Sequence, residues 1–266
     1  MSGVPFQTSK FIFGTAGLFN VGSEKLRNEL LFAAVDAGFT HFDTAPYYGF
    51  GLAERDLAPV LKAHPHVTVT SKVGIYSPGG ENQNSIQVFL RKASGRLIKQ
   101  ISRPTIDFSL ARAKGALEDS LRRLGRDRID IYTLHEPQLA LVATDEWQRW
   151  LEACVQEGKI RIFGLALTAD KLEPFLSSGS PLASFVQIAD SLSAREADIL
   201  ARFNKPMQIT YGYVSAAIKE NSPLSVSEVL KAGARRNAHG AVIVSTTKVA
   251  RLPQYARLAD EALHDQ

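Results

Sequence analysis

Eight short runs rich in β-branched and aromatic residues recur along the chain, and they constrain its fold more than any other feature. Segments with helical periodicity lie between most of them, and one places Leu26, Leu30, Ala34 and Ala37 ahead of Gly38, a residue typical of helix ends. Eight strands that alternate with helices within about 250 residues are the pattern of a (β/α)8 barrel, whose active sites lie where strands end. The eight runs are FIFGTA (11–16), FTHFDT (39–44), VTVTSKV (67–73), RIDIYTLH (128–135), RIFGLAL (161–167), SFVQIAD (184–190), PMQITYG (206–212) and AVIVSTT (241–247).

A doubly wound parallel sheet is the rival architecture for such an alternation. It would ordinarily carry a glycine-rich turn of the form GxGxxG after an early strand, and no such turn follows residues 11–16 or 39–44. The sequence also has no tandem repeat with a period of about 20 to 50 residues and no Pro/Gly/Ser-rich linker that would divide it. We therefore expect one α/β domain, a single (β/α)8 TIM barrel that covers residues 1–266.

The composition indicates a globular chain that does not enter a membrane. With 266 residues and 45% hydrophobic content it can bury a substantial core, yet it has no apolar run of about 18 residues. The opening segment, MSGVPFQTSKFIFG, lacks the basic start and apolar centre of a signal peptide, so we expect a soluble, cytoplasmic protein. The net charge of +4 comes from interspersed charges of both signs, and it supports no nucleic-acid role.

Disulfide and metal chemistry find no support in the sequence. The single cysteine, Cys154, has no partner for an internal disulfide, and its helical spacing from Trp147, Trp150 and Leu151 predicts a core position. No cluster of cysteines and histidines has the spacing of a zinc site. We therefore expect no metal.

The connection from residue 73 to residue 108 interrupts the regular alternation. Connections longer than about 15 residues are uncommon unless they serve a function. Because this one follows the third strand, on the active-site face of a barrel, one interpretation is a lid or substrate loop that carries a short helix. The other interpretation is a solvated insertion, since its basic run, RKASGRLIKQISR, also suits an exposed helix face.

Four polar residues lie at or just beyond the ends of three successive predicted strands. Asp43 ends the second strand, Lys72 the third and His135 the fourth, while Tyr48 lies five residues beyond Asp43. Each has an ordinary structural interpretation: a capping acid, a lysine that extends to solvent, a core histidine and a packed tyrosine. Because the carboxyl ends of neighbouring barrel strands face one cavity, the four together predict a catalytic cluster.

The predicted chemistry of this cluster centres on the tyrosine. A charged Lys72 at an apolar strand end is costly to bury unless it is paired, and Asp43 on the adjacent strand is the natural partner. A positive charge about 4 Å from a phenol, at an effective dielectric near 20, favours the phenolate by about 4 kcal/mol, or roughly three pKa units. Pairing with Asp43 reduces this effect. We expect Lys72 to lower the pKa of Tyr48 and to tune it as a general acid, while His135 orients a carbonyl oxygen or passes a proton.

These segments resemble the aldo-keto reductase family, whose barrel carries a tetrad of Asp, Tyr, Lys and His. The matching segments are DTAPYYG (43–49), TSKVG (70–74) and the LHEP that follows SLRRLGRDRIDIYT. Asp43 and Tyr48 have the family's five-residue separation, so Tyr48 rather than Tyr47 corresponds to the proton donor. The resemblance implies an enzyme that transfers hydride between a nicotinamide cofactor, usually NADPH, and an aldehyde, ketone or sugar carbonyl.

The resemblance also implies where the nicotinamide end of the cofactor binds. Gly14 and Thr15, in FGTAG, correspond to the family's turn near the nicotinamide ribose. Gln187, in FVQIAD, corresponds to the glutamine that binds the carboxamide, and Tyr211, in ITYGY, to the ring that stacks on the nicotinamide.

The last segment of this resemblance, VSTTKVARL (244–252), is similar to the family's adenosine-phosphate site. Ser245, Thr246 and Arg251 fall where members hold the 2′-phosphate, and Lys248 compensates for the lysine that many members have at the first of these positions. A charge-assisted contact from Arg251 to that phosphate contributes roughly 1.5 to 3 kcal/mol. NADPH or NADP+ is therefore expected in preference to NADH or NAD+.

One segment departs from the family pattern. Many members carry a Ser-Asn pair after the fifth-strand glycine, and both side chains hold the carboxamide, whereas this sequence has Ala166 and Leu167. Gln187 and Thr168 are then left to hold the ring. The departure supports a second hypothesis, a barrel that retains cofactor binding but serves as a regulatory or interaction module. A third hypothesis, a Schiff-base lyase, would need Lys72 as a neutral nucleophile, which a carboxylate partner opposes.

Overall fold

Eight parallel strands close into a barrel in the computed structural model, which describes residues 8–81, 83 and 104–264. Neighbouring strands pair in chain order and the last pairs with the first, so the predicted (β/α)8 TIM barrel is confirmed and the doubly wound sheet is wrong. All eight predicted runs overlap a barrel strand, whereas β4 and β5 form a separate antiparallel pair. The strands are β1 (Phe11–Gly14), β2 (His41–Asp43), β3 (Thr68–Val73), β4 (Ile75–Tyr76), β5 (Thr105–Ile106), β6 (Ile129–His135), β7 (Ile160–Leu167), β8 (Val186–Ala189), β9 (Ile209–Tyr211) and β10 (Ala241–Val244).

Nine α-helices lie within the described residues. The first begins after Ser23, whose side chain accepts a hydrogen bond from the backbone N–H of Leu26, and the eighth begins with a capping box of Ser225 and Glu228. The third ends at Gly125, which adopts a left-handed φ of 61°. The helices are α1 (Glu24–Asp36), α2 (Leu52–Ala63), α3 (Leu110–Leu124), α4 (Thr144–Gln156), α5 (Ala169–Ser177), α6 (Ile199–Arg202), α7 (Tyr213–Lys219), α8 (Val226–Arg236) and α9 (Leu252–His264).

Strand residues alternate between two apolar clusters. Phe11 and Phe13 belong to the large cluster that strands and helices share, whereas Ile12 belongs to a small cluster with Ile131 and Ile209 from other strands. Because successive side chains of a strand point to opposite faces, the small cluster fills the interior of the barrel. The same alternation decides which residues near the strand ends face inward.

A polar contact between β2 and β3 involves the buried His41. Its Nδ1 lies 2.7 Å from Thr68 Oγ1 and its Nε2 lies 2.8 Å from Thr70 Oγ1. Burial, together with the nearby charge of Lys72, lowers the pKa of His41 from its ordinary 6.5 to about 3. The folded chain therefore holds this imidazole neutral. Asp43 lies two residues further along β2 and so points to the same face.

We expect this histidine to make the fold sensitive to acid. Between pH 6.5 and 3 the unfolded chain takes up a proton on His41 and the folded chain does not, so stability falls as the pH falls. One such group lowers the free energy of unfolding by about 1.4 kcal/mol per pH unit in this window. His41→Gln should remove that part of the slope in urea unfolding series at several pH values.

The exposed His66 offers the matched control for this series. His66→Gln should leave the slope as it is in the unmodified chain. Equal slopes in the His41→Gln variant and the unmodified chain would contradict the assignment of acid sensitivity to His41.

The long connection after β3 is closed at its base. Asp107 donates its backbone N–H to the carbonyl of Gly74 at 3.0 Å, directly beyond the β4–β5 pair. Gly74 has a φ of 108°, and a Cβ there would lie 2.0 Å from the ring of Phe108. The helix expected within residues 73–108, and the basic run RKASGRLIKQISR, lie outside the described residues. The role of this segment as a lid and the assignment of residues 1–266 to one domain stay predictions.

Two further observations concern partners. Within residues 8–81, 83 and 104–264, no helix has the length and apolarity needed to cross a bilayer. The same part of the chain contains no group of three or more His, Cys, Asp or Glu side chains placed to hold a metal ion.

Cys154 is buried, as its helical spacing predicted, and burial raises the pKa of its thiol to about 11.

Candidate active site

A cavity of about 360 Å³ opens at the carboxyl ends of the barrel strands. Every barrel strand contributes a residue at or near its end, as expected for a site of this fold. A larger groove of about 780 Å³ lies outside the barrel, between α3 and α4, and contains none of the predicted site residues. The cavity residues on the strands include Gly14, Asp43, Lys72, His135, Ala166, Gln187, Tyr211 and Val244.

Lys72 and Asp43 form a buried ion pair in the wall of this cavity. Lys72 Nζ donates to Asp43 Oδ1 at 2.7 Å, to Asp43 Oδ2 at 2.8 Å and to the carbonyl of Thr44 at 2.8 Å. These bonds use all three donors of the ammonium group. Asp43 Oδ2 also accepts from Gln187 Nε2 at 3.0 Å. Burial lowers the pKa of Lys72, and the carboxylate of Asp43 opposes that effect.

Tyr48 lies in a tight loop between β2 and α2. Three consecutive residues of this loop have positive φ angles, Gly49 at 62°, Phe50 at 59° and Gly51 at 80°. A Cβ at Gly51 would lie 2.0 Å from the carbonyl oxygen of Glu81, so only glycine fits. The close turn returns the chain to the barrel mouth, where Tyr48 lines the cavity.

The tyrosine, the lysine and the histidine lie against one another. The ring of Tyr48 meets the ring of His135 edge-on, with centroids 6.0 Å apart. Lys72 Nζ lies 4.8 Å from the centroid of the Tyr48 ring. The four residues taken from the strand ends therefore converge on one cavity.

The pKa of Tyr48 corrects one expectation. Burial raises this pKa well above its ordinary value, and the carboxylates of Asp43 and Glu136 raise it further. The expected net lowering of this pKa is wrong for this structure, because burial of the phenol and the two carboxylates outweigh the attraction of the Lys72 ammonium. The phenol therefore keeps its proton at neutral pH.

His135 is held neutral in the same cavity. Burial, together with the positive charges of Lys72 and Lys171, lowers its pKa from 6.5 to about 3. A neutral imidazole carries one N–H donor and one acceptor. His135 is thus suited to donate a hydrogen bond to a carbonyl oxygen at neutral pH without carrying a charge.

The residues expected to hold the nicotinamide cofactor divide into two groups. Gly14, Gln187, Tyr211 and Ser245 line the cavity. A Cβ at Gly14 would lie 2.7 Å from Ile243 Cγ2, so a larger side chain there would displace its neighbour.

The second group lies outside the lining of the cavity. Thr15 is buried and donates its hydroxyl to the carbonyl of Asp43 at 3.0 Å, while Thr168 is half-buried at the start of α5. Thr246 accepts the backbone N–H of Lys248 at 3.1 Å in the turn after β10. Lys248 and Arg251 are exposed in that turn, which continues from Ser245 at the cavity.

The wall next to Gln187 bears on whether a carboxamide fits the cavity. Gln187 Oε1 is buried and has no hydrogen-bond partner, because the amide group uses only its Nε2 to bind Asp43. An unpaired buried acceptor of this kind suits the NH2 of a carboxamide. Ala166 lines the cavity, whereas Leu167 packs in the outer apolar cluster. Of the two departures from the family pattern, only Ala166 therefore faces the cavity.

Glu136 lines the cavity, although the sequence reasoning gave it no role. It follows His135 in the segment LHEP, and it has a left-handed φ of 53°. Its Oε1 accepts from the hydroxyl of Tyr211 at 3.1 Å, and its Oε2 accepts from Lys171 Nζ at 2.7 Å. The sequence held one signal for this residue, which is that an acid directly follows the predicted His135.

The sequence of this chain is similar to those of known dehydrogenases and reductases. The chain is 32% identical over 162 residues to D-threo-aldose 1-dehydrogenase of Pseudomonas sp, which covers 58% of this chain and 48% of that protein. It is 34% identical over 147 residues to NADH-specific methylglyoxal reductase of Escherichia coli (strain K12), covering 53% of this chain and 41% of that protein. The chain spans about half the length of the curated relatives it matches.

A solved structure has the same fold. The aldo-keto reductase from Klebsiella pneumoniae in complex with NADPH superimposes with a TM-score of 0.67 at 20% identity, covering 94% of this chain and 85% of that one. The model of the Aldo/keto reductase family matches residues 10–205, which is most of the sequence. Together with the closed barrel and the strand-end cluster, this match establishes that the chain belongs to the aldo/keto reductase family.

Proposed function

We propose that this chain is an NAD(P)(H)-dependent oxidoreductase that interconverts a carbonyl and an alcohol, with Tyr48 as the proton donor. The convergence of Tyr48, Lys72, Asp43 and His135 on one cavity at the strand ends carries the proposal. Membership of the aldo/keto reductase family supports it. The names of relatives, including D-threo-aldose 1-dehydrogenase, favour an aldehyde, ketone or sugar as substrate.

In the proposed reaction each residue has one task. The neutral phenol of Tyr48 donates its proton to the carbonyl oxygen, and the N–H of His135 orients that oxygen beforehand. The phenolate that remains is stabilised by the ammonium of Lys72, 4.8 Å from the ring centroid, which the carboxylate of Asp43 holds in place. When bound, the nicotinamide supplies the hydride to the carbonyl carbon, or accepts it in the reverse direction.

The proposed site for the cofactor follows from the cavity residues. Gln187 would accept the carboxamide N–H through its unpaired Oε1, and Tyr211 would provide a flat face for the ring. Gly14 would contact the cofactor through its backbone, because it lines the cavity and Ile243 occupies the place of a side chain there. Thr15 would support the cofactor site indirectly, because its hydroxyl holds the backbone of Asp43. Thr168 would contribute to the same site from the start of α5.

We infer that NADPH is preferred to NADH. The exposed Lys248 and Arg251 place two positive charges on the turn after β10, next to Ser245 and Thr246, and a 2′-phosphate would pair with them. NADPH bound to the structural neighbour from Klebsiella pneumoniae is compatible with this preference, whereas the relative from Escherichia coli is NADH-specific by name. Because the two similar proteins differ in their cofactor, the inferred preference for NADPH depends on Lys248 and Arg251 of this chain.

Replacing Arg251 with alanine should separate the two cofactors. We expect NADPH to bind at least tenfold more weakly, because one charge-assisted contact contributes about 1.5 to 3 kcal/mol, and NADH affinity to change less than twofold. Fluorescence titration gives both dissociation constants. Arg257→Ala, at an exposed arginine further along α9, is the matched control. Equal losses for NADPH and NADH would place the phosphate elsewhere.

Equilibrium binding followed by turnover tests the proposed function as a whole. NADPH should bind the purified chain and be consumed in the presence of at least one member of a panel of aldehydes, ketones and aldoses. Absence of NADPH and NADH binding would overturn the proposal. Tight binding without turnover would instead favour a cofactor-binding regulatory barrel, the hypothesis that the apolar Ala166 supports.

The lyase hypothesis has less support. A Schiff base requires a neutral amine with a free lone pair, whereas the three N–H groups of Lys72 are all donated to Asp43 and Thr44. Borohydride reduction in the presence of substrate should therefore leave the mass of the protein unchanged.

A further inference from the structure

Glu136 is fixed at the cavity by an unusual backbone conformation. It is the first residue after β6, its φ of 53° is left-handed, and Pro137 follows it. Its backbone N–H donates to the carbonyl of Ala166 at 2.8 Å, which anchors it to β7. A non-glycine residue in this conformation is strained, and such strain clusters at functional sites.

The carboxylate of Glu136 is held but not saturated. Tyr211 donates to one oxygen at 3.1 Å and Lys171 to the other at 2.7 Å. A carboxylate has about four acceptor positions, so roughly two are left for a ligand. The side chain of Glu136 is 23% exposed, and it lines the cavity, whereas Lys171 does not.

The other charges of the cavity are already used within it. Lys72 donates all its protons to Asp43 and Thr44, and the carboxylate of Asp43 accepts three hydrogen bonds. His135 is neutral at pH 7 because burial lowers its pKa to about 3. Of the described residues that line the cavity, Glu136 is thus the one that presents a charged group with free acceptor positions to a ligand.

We propose that Glu136 determines substrate specificity: it accepts hydrogen bonds from hydroxyl groups next to the reacting carbonyl and disfavours substrates that carry a carboxylate there. The substrate class is therefore a neutral, hydroxylated aldehyde or ketone. This inference rests on the proposed function, because it concerns the same cavity and the same reaction. It adds a residue that recognises the substrate to the residues that transfer a proton to it.

Three two-carbon aldehydes of similar size test the proposal. Acetaldehyde has a methyl group beside the carbonyl, glycolaldehyde a hydroxymethyl group and glyoxylate a carboxylate. In Glu136→Gln, the kcat/KM for glyoxylate relative to acetaldehyde should rise at least tenfold, and that for glycolaldehyde relative to acetaldehyde should fall at least threefold. Comparing the same substrate between variants cancels its hydration in water.

Lys171→Met is the matched variant, since it keeps the carboxylate and removes the cation that partly neutralises it. The ratio for glyoxylate should then fall below that of the unmodified chain. Opposite shifts in the two variants identify charge as the cause.

The outcomes separate the two proposals. If all three aldehydes change by one common factor in Glu136→Gln, the residue only positions Tyr211 and the inference is overturned, while the proposed function stands. A shift of the glyoxylate ratio in the same direction in both variants also overturns it. If the unmodified chain binds NADPH but reduces none of the aldehydes, ketones and aldoses of the wider panel, the proposed function fails and the inference fails with it.

Discussion

Replacing Tyr48 with phenylalanine should lower kcat for carbonyl reduction by about 10³-fold and leave the dissociation constant of NADPH within threefold. A positioned general acid contributes typically 10² to 10⁴-fold, and the phenol is the proton donor of the proposed reaction. The phenyl ring keeps the edge-on contact with His135, because only the hydroxyl is removed. Steady-state kinetics and fluorescence titration on the same preparation measure both quantities.

Tyr47→Phe provides the control for this experiment. Tyr47 belongs to the same loop, and it is absent from the residues that line the cavity in the described part of the chain. We expect its variant to reduce substrate at a rate within threefold of the unmodified chain. Reduction by Tyr48→Phe at the unmodified rate would remove Tyr48 from the chemistry, and loss in both variants would point to the loop rather than to the acid.

The cluster around Tyr48 could be predicted because a parallel barrel has a simple rule. All strand carboxyl ends point to one face, so polar residues that end neighbouring apolar runs meet there. Asp43 and His135 each end a strand and Lys72 lies one residue before the end of β3, so their identities and positions suffice to place them together.

The direction of the Tyr48 pKa was beyond the sequence for a geometric reason. The pKa depends on how deeply the phenol is buried and on which carboxylates lie near it. Glu136, one of the two carboxylates that raise it, was not among the predicted site residues, and its left-handed backbone has no signature in the sequence. Burial of the phenol then outweighs the attraction of the lysine, so the pKa rises instead of falling.

Two other differences trace to the alternation of strand side chains. Ala166 and Leu167 are neighbours on β7, so only one can face the cavity, and a period of two applied to this strand would have excluded Leu167. Glu136 shows the opposite limit. It follows His135, so its side chain would point outward if β6 continued. The strand ends at His135, however, and Glu136 itself has a left-handed φ, so its side chain lines the cavity.

The ion pair beneath the tyrosine should have the second large effect. Lys72→Met removes the partner that donates two of the three hydrogen bonds that Asp43 accepts, and leaves a carboxylate buried with only Gln187. Breaking a buried pair in this way costs about 3 to 5 kcal/mol. We expect a fall of that size in the free energy of unfolding, measured with urea, together with a loss of turnover to about the level of Tyr48→Phe.

A double variant separates the structural effect from the catalytic one. Asp43→Asn combined with Lys72→Met removes both charges, so stability should return to within about 2 kcal/mol of the unmodified chain, because a neutral replacement of a buried pair is often tolerated. Turnover should stay lost, since no ammonium is left to stabilise the phenolate. Lys62→Met, at an exposed lysine of α2, controls for the loss of a lysine. If the double variant is as unstable as Lys72→Met, the unpaired carboxylate is not the cause of the instability. If either variant reduces substrate at the unmodified rate, the ammonium has no part in the proton transfer.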